Sequence, residues 1–346
     1  MVAGLGKKAE LARESLADLK KMDVTVIICT WNRCKSLAKV LASLEASLVP
    51  PQIQWEVLVV DNNSKDDTHE VCQSFIARNP GRFRYLFAAQ QGKSNALNAG
   101  IQNAAGEILA FTDDDVTVDE HWVAEIHDAF QKHDCAAVAG RIIAQWNCKQ
   151  PAWIDLDGPF RHVAFGAIVR FEKGDAPCLL RETAAGANMA LKKTVVDKYG
   201  LFRADLSGNH ADRRRLGELL GGEDTEYCRR LLNAGEKLMY APQAKVSHPV
   251  EEHRLEKGYL QRFAFYYGRY ITRMGGVPES VRCYFGIPRY LLPAALKNFA
   301  KWMTSFGVKR RFFYRLELCH NFGEMIEGKR LVKMRQSAAL LVRESD

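Results

Sequence analysis

From Val24 to about Val250 the chain repeats one unit: a short apolar run, a polar turn, then a stretch with helical spacing. The runs are Val24-Thr-Val-Ile-Ile-Cys29, Trp55-Glu-Val-Leu-Val-Val60, Phe83 to Phe87, Glu107 to Thr112 and Ala136 to Ile143. Their β-branched content and unbroken apolar character are those of strands buried on both faces, as in a parallel sheet. Between the first two, Leu37, Val40, Leu41, Leu44 and Leu48 fall on one face of a helix spanning Ser36 to Leu48. Asp66 to Arg78, Ser94 to Asn103 and Asp119 to Lys132 repeat that spacing. Strands alternating with helices predict βαβ units and an α/β fold, with a mostly parallel, doubly wound central sheet flanked by helices. Ligands of such sheets bind beyond the carboxyl ends of the strands.

The remainder divides the chain. Residues 1–22 predict a short, mostly polar helix, 23–250 the α/β domain, and 251–346 a helical C-terminal extension. Within 145–222 the pattern is less regular. Asp155-Leu-Asp-Gly-Pro159 and Ser207 to Arg215 read as loops, the second as either a moving flap or an ordinary solvated loop. Residues 223–235 return to helical spacing, and Lys237 to Tyr240 and Ala244 to Ser247 predict two closing strands. Several classes are excluded. No run of eighteen apolar residues exists for a spanning helix. The first 23 residues lack the apolar core of a secretory signal. Nine scattered cysteines, odd in number and without CxxC spacing, suit reduced thiols in a cytosolic protein better than disulfides or a zinc site.

Polar clusters follow the predicted strands: Thr30-Trp-Asn-Arg33, Asp61-Asn-Asn-Ser64, Asp113-Asp-Asp115 and His248. Three adjacent carboxylates repel unless a cation or hydrogen-bond donors compensate. Mg²⁺ or Mn²⁺ would do so, since both prefer oxygen ligands; a solvated helix N-terminus, where acids favour the dipole, is the other reading. Glu223-Asp224 opens a helix after Gly221-Gly222, as helix-starting acids or as a general base. His248 is open between a structural residue and a ligand. Gly92-Lys93 sits where a helix N-terminus suits a phosphate, without full P-loop spacing. GxGxxG is also missing, which argues against a dinucleotide-binding oxidoreductase.

The order of these clusters says more than any one of them. Val26-Ile-Ile-Cys-Thr-Trp-Asn-Arg33, Val59-Val-Asp-Asn-Asn-Ser64, Gly92-Lys-Ser-Asn-Ala-Leu-Asn-Ala-Gly100, Phe111-Thr-Asp-Asp-Asp115, Gly186-Ala-Asn-Met-Ala190 and Gly222-Glu-Asp-Thr-Glu226 together resemble the family 2 glycosyltransferases over about residues 24–250. These are inverting enzymes with the Rossmann-like A-type nucleotide-diphospho-sugar fold. The resemblance implies a donor site of Thr30, Trp31, Arg33, Asp61, Asn63, Lys93, Asp113, Asp114, Gly186 and Asn188. Trp31 would stack on the nucleobase, Asp61 would accept its hydrogen bond, and Lys93 would meet base or diphosphate. It further implies Mn²⁺ or Mg²⁺ on Asp113, Asp115 and His248, with Asp114 an alternative ligand because three Asp leave the register open. Asp224 would be the catalytic base, with Glu223 beside it. The implied partners are a nucleotide-diphospho-sugar, UDP-sugar favoured, and a glycan or lipid-linked acceptor hydroxyl. A sugar nucleotidyltransferase would need a basic, Gly-rich phosphate loop that Cys29-Thr-Trp-Asn-Arg33 does not offer. A non-catalytic scaffold has no use for Asp113, Asp115 and Asp224 at their motif positions.

Charge singles out the last segment. The net charge is +8, yet residues 1–250 hold 31 Lys plus Arg against 32 Asp plus Glu. Residues 251–346 hold 18 against 9, together with 16 of the 34 Phe, Trp and Tyr. Stretches such as Leu291 to Phe306 have the make-up of a helix lying on an anionic membrane. Packing of a helical subdomain against the core is the competing expectation. A nucleic-acid partner is not expected, since the charge is confined to a tail on an enzyme-like body. These expectations place the protein in the cytoplasm, or peripherally on the cytoplasmic face of a membrane; oligomeric state is left open.

Overall fold

The computed structural model describes residues 22–207 and 222–344. The predicted N-terminal helix and most of the Ser207–Arg215 loop lie outside the described residues.

The predicted alternation is present. Strand β1 (Val24–Thr30) leads to helix α1 (Cys34–Glu45), β2 (Trp55–Asp61) to α2 (Thr68–Arg78), β3 (Phe83–Phe87) to α3 (Lys93–Asn103), and β4 (Ile108–Thr112) through the two-residue β5 (Thr117–Val118) to α4 (Trp122–Lys132). Then come β6 (Ala137–Trp146), β7 (Cys178–Leu180), β8 (Asn188–Lys192), α5 (Lys193–Tyr199), α6 (Glu223–Asn233) and β9 (Leu238–Val250). One sheet takes them in the order β3-β2-β1-β4-β8-β6-β9-β5, with β7 also on β9. β3, β2, β1 and β4 run parallel, as do β6 and β9; β8 is antiparallel to both its neighbours. The A-type architecture of a mixed, mostly parallel sheet between helices is thus as expected. Val26, Ile27, Val57, Leu58, Val59, Leu109 and Ala110 have almost no exposed surface, which is why their runs carry no polar alternation.

Three strands depart from the expectation. β7 and β8 fall in the stretch read as irregular. The two closing strands form one, β9, and its pairing with β6 shifts register between Gly140 and Arg141. That shift absorbs Pro242, Gln243 and Ala244 without ending the strand.

Beyond residue 250 the chain is helical: α7 (Lys257–Gly275), a small hairpin of β10 (Cys283–Tyr284) and β11 (Ile287–Pro288), α8 (Leu291–Thr304) and α9 (Val308–Glu344). It packs on the domain through a second apolar cluster that joins Ile154, Phe165 and Ile168 to Leu255, Leu260, Ala264, Phe312 and Leu316. A Cβ at Gly268 or Gly323 would meet the backbone of the facing helix, so α7 and α9 cross at glycines. Beside that crossing Glu327 is fully buried and accepts from Arg269 and Arg273 at 3.0 Å and from Arg330. Burial raises its pKa, but the three guanidiniums outweigh burial and hold it at about 2. A depressed carboxyl stabilises the fold above its ordinary value of 4.5, and that contribution fades as pH falls toward 2. Glu327→Gln should therefore cost on the order of 2–3 kcal/mol at neutral pH. In urea unfolding the gap between wild type and variant should close between pH 4.5 and 2; a gap constant across that range would refute the ionic account. Among the described residues no helix is long and apolar enough to cross a membrane.

Candidate active site

The sheet topology gathers the predicted clusters. From β1 the chain steps through β2 to β3, then returns to lay β4 on the other side of β1, so the two βα crossovers diverge between β1 and β4. A crevice at such a point receives ligands. The β1–β4 register sets Ile28 opposite Thr112, which brings Thr30 level with Asp114, and Thr30 Oγ1 donates to Asp114 Oδ2 at 2.8 Å. Thr112 pairs with Asn188 across β4 and β8, so the Gly186 loop enters at the same edge. Thr117 pairs with Ser247 across β5 and β9, which delivers His248 beside the acidic triplet. The result is a cleft of about 950 Å³ lined by Thr30, Trp31, Arg33, Lys93, Asp113, Asp114, Asp115, Gly186, Glu223, Asp224 and His248, among others.

Five carboxylates share this cleft with Arg33, Lys93, Arg254 and Arg262. Lys93 Nζ lies 2.9 Å from Asp113 Oδ1 and 3.6 Å from Glu223 Oε1. Burial would lower the Lys93 pKa, but Asp113, Glu223 and Asp224 together raise it well above its ordinary value. Burial likewise pushes Asp113 up, and Lys93 reverses that, leaving it below the usual carboxylate value. Arg33 Nη1 bridges Asp114 at 3.1 Å and Asp115 at 2.7 Å, yet burial still pushes Asp114 up to about 6. Glu223 is 2% exposed, and its Oε2 has no hydrogen-bond partner among the described residues. Asp224 Oδ2 accepts from the Gly186 N–H and Oδ1 from the Thr225 N–H, both at 2.6 Å. Burial first, then the neighbouring Glu223 charge, raise its pKa.

Asp113, Asp115 and His248 each offer a ligand atom within 4.8 Å of the others. The His248 ring is 2% exposed, with Nδ1 3.0 Å from the Pro249 carbonyl, an acceptor only. The Nδ1 proton donates to that carbonyl, and Nε2 faces Asp115 Oδ1 at 3.4 Å, a spacing that a shared cation would bridge. One imidazole nitrogen and two carboxylates, backed by buried neighbours, make a donor set that fits Mn²⁺ or Mg²⁺.

Three expected donor residues stand elsewhere. Asp61 is buried outside the cleft lining, with its carboxylate accepting from the Ser64 N–H and the Tyr85 hydroxyl at 2.8 Å each. Asn63 occupies a left-handed turn at φ 69°, and its neighbour Asn62 lines the cleft instead. Asn62 binds the Ala88 and Gln90 carbonyls and the Gly92 N–H, which fixes the loop that carries Lys93. Asn188 is spent on the sheet: it donates to the Arg141 and Ala244 carbonyls and accepts from Trp122 Nε1. Sequence reasoning missed the far wall, which Arg254, Tyr259, Phe263, Tyr267 and Tyr270 provide. Arg254 lies 3.8 Å from Asp115. Tyr270 donates to the Gly222 carbonyl at 2.5 Å, and its ring fills the space a Cβ on Gly222 would need. The paired glycines before Glu223 were the only trace of that contact in the sequence.

Comparison with known proteins agrees with this geometry. The model of the glycosyl transferase family 2 matches residues 25–199. The succinoglycan biosynthesis protein ExoM of Rhizobium meliloti is 27% identical over 248 residues, 72% of this chain and 74% of that protein. The glucosyl-dolichyl phosphate glucuronosyltransferase of Haloferax volcanii is 24% identical over 259 residues, 71% and 75% of the two chains. In fold, the chain is similar to a mannosyltransferase from Pyrobaculum calidifontis solved with GDP-Man and Mn²⁺. The TM-score is 0.52 at 16% identity, over 94% of this chain and 80% of that one.

Proposed function

We propose, from the premise that this chain belongs to glycosyl transferase family 2, that it moves one sugar from a nucleotide-diphosphate donor to an acceptor hydroxyl with inversion. The observation that carries the reading is the meeting, in one cleft, of the Asp113–Asp115–His248 donor set with a half-buried carboxylate, Asp224.

The chain's own groups divide the work. Thr30 and Arg33 hold Asp114 and Asp115 in register beneath the donor. Trp31 offers an aromatic face to the nucleobase. Lys93, already charged by its carboxylate neighbours, meets diphosphate oxygens. Asp113, Asp115 and His248 would hold Mn²⁺ or Mg²⁺, which when bound acts as a Lewis acid on the leaving diphosphate. Asp224 takes the proton from the acceptor hydroxyl as that oxygen attacks the anomeric carbon opposite the leaving group. Its raised pKa brings it closer to the working pH of a general base. Glu223 keeps Lys93 near and, by repulsion, keeps Asp224 basic.

The relatives named above, one in succinoglycan biosynthesis and one acting on a dolichyl phosphate glucoside, support a polysaccharide or lipid-linked glycan as acceptor. A lipid-linked acceptor would bring the enzyme to a cytoplasmic membrane face. A thermal-shift screen of UDP- and GDP-sugars, with and without Mn²⁺, tests the donor. One hexosyl or acetamidohexosyl nucleotide should stabilise the protein only with the metal, by about 2.7 kcal/mol at a hundredfold excess over Kd. A screen in which no nucleotide sugar shifts Tm under either condition would remove the reading.

A further inference from the structure

Helix α8 rests on α9 by one face only. Leu291 and Ala295 are buried there, Asn298 donates to Asn321 at 2.8 Å, and the Trp302 ring lies beneath Arg311 and Arg315. The other face is apolar and open. Leu292, Leu296, Phe299, Met303 and Phe306 follow at alternating spacings of four and three, one stripe along the helix and just past its end. Leu296 is 70% exposed and Phe306 92%. Unpartnered apolar stripes of this kind mark an interaction surface.

Charge identifies the partner. Between Glu279 and Glu317 the chain has no acidic residue and eight basic ones, Arg282, Arg289, Lys297, Lys301, Lys309, Arg310, Arg311 and Arg315. Lys309 is held by Asp155 at 3.0 Å; the other seven have no ion pair among the described residues. A second copy docking by the same face would set cations against cations. Nucleic acid would leave five aliphatic and aromatic side chains in water. An anionic bilayer takes both halves, with apolar side chains at the acyl boundary and cations among the headgroups.

We propose that α8 lies in the plane of an anionic lipid bilayer, with Leu292, Leu296, Phe299, Met303 and Phe306 inserted and the Arg289–Arg315 cations at headgroup level. This deepens the acceptor reading above but does not depend on the donor chemistry. It also gives the cleft a definite neighbour. α7, whose Tyr259, Phe263 and Tyr267 line the cleft, crosses α9, and α9 carries α8.

Flotation with phosphatidylcholine vesicles, with and without phosphatidylglycerol, tests it on the full chain. Wild type should float only with the anionic vesicles, and less as salt rises. Leu296→Ser, Phe299→Ser and Met303→Ser combined should weaken partition on the order of a hundredfold. Arg289→Gln, Lys297→Gln and Arg310→Gln combined should do so by a similar factor, at about 1 kcal/mol per charge. Both variants should keep the metal-dependent thermal shift with the nucleotide sugar, which separates loss of docking from loss of fold. Failure of wild type to float, or variants floating like wild type, would overturn the proposal and leave the transfer reading standing. So would a stripe variant whose one defect is a dimer dissolved into monomers in sedimentation.

Discussion

Asp224→Asn should lower turnover by 10²–10⁴-fold or more while donor affinity changes little. The amide keeps the volume of the side chain and one acceptor oxygen for the Gly186 or Thr225 N–H, so the loop is held. What disappears is, among the described residues, the one carboxylate of the cleft that makes no ion pair with Lys93 or Arg33. Initial rates and calorimetric donor binding separate the two effects. The pH profile gives a second check. A base works only when deprotonated, so activity should fall as pH drops through the Asp224 pKa, which burial and Glu223 set above the ordinary 3.8. The variant should lack that acid limb. Turnover near wild type for Asp224→Asn would remove the residue from the base role.

Asp115→Ala should fail at an earlier stage. Its carboxylate faces His248 Nε2, Arg33 and Arg254 at once, at 3.4, 2.7 and 3.8 Å. Removing it takes one oxygen from the donor set and leaves two guanidiniums without their shared anion. Stabilisation of a leaving diphosphate by a bound divalent ion is worth several kcal/mol, so turnover should drop by at least about 10³-fold. The distinguishing result is in binding: Mn²⁺ should no longer tighten the nucleotide sugar, whereas it still does so in Asp224→Asn. EDTA should reproduce the defect in wild type, and Mn²⁺ should reverse it. A variant whose donor affinity responds to Mn²⁺ as before would take Asp115 out of the metal site.

The legible part of the fold was the part governed by local rules. β1, β2 and β4 are buried on both faces, and that alone makes their runs unbroken. β8 was hidden because Asn188 opens it and only four residues follow before a helix begins; its strand character comes from pairing with β4 and β6, partners distant in sequence. β9 read as two strands because Pro242 usually ends one, and only the register shift opposite it shows how the strand goes on. At the site, order along the chain pointed to Lys93, Asp113, Asp115, Asp224 and His248, which the structure brings to one cleft; all but His248, which lies within β9, follow a strand end or stand in the first turn of a helix. It could not tell that the Asn188 side chain would be consumed by Trp122 and two carbonyls, or that Tyr85 would occupy Asp61. Those facts depend on which side chains the sheet brings across it. The aromatic residues of α7 were not legible as a cleft wall for a related reason: the same composition serves a membrane, a core or a cleft wall.

The bond from Tyr270 to the Gly222 carbonyl makes the boundary at residue 250 a poor place to cut. A shortened protein ending there would keep the sheet and its acidic triplet, but the turn just ahead of Glu223 and Asp224 would lose the ring that props it from outside. Under the proposed assignment of Asp224 as base, anyone trimming this enzyme to a minimal catalytic fragment should expect the casualty to be proton removal, well before the nucleotide loses its berth.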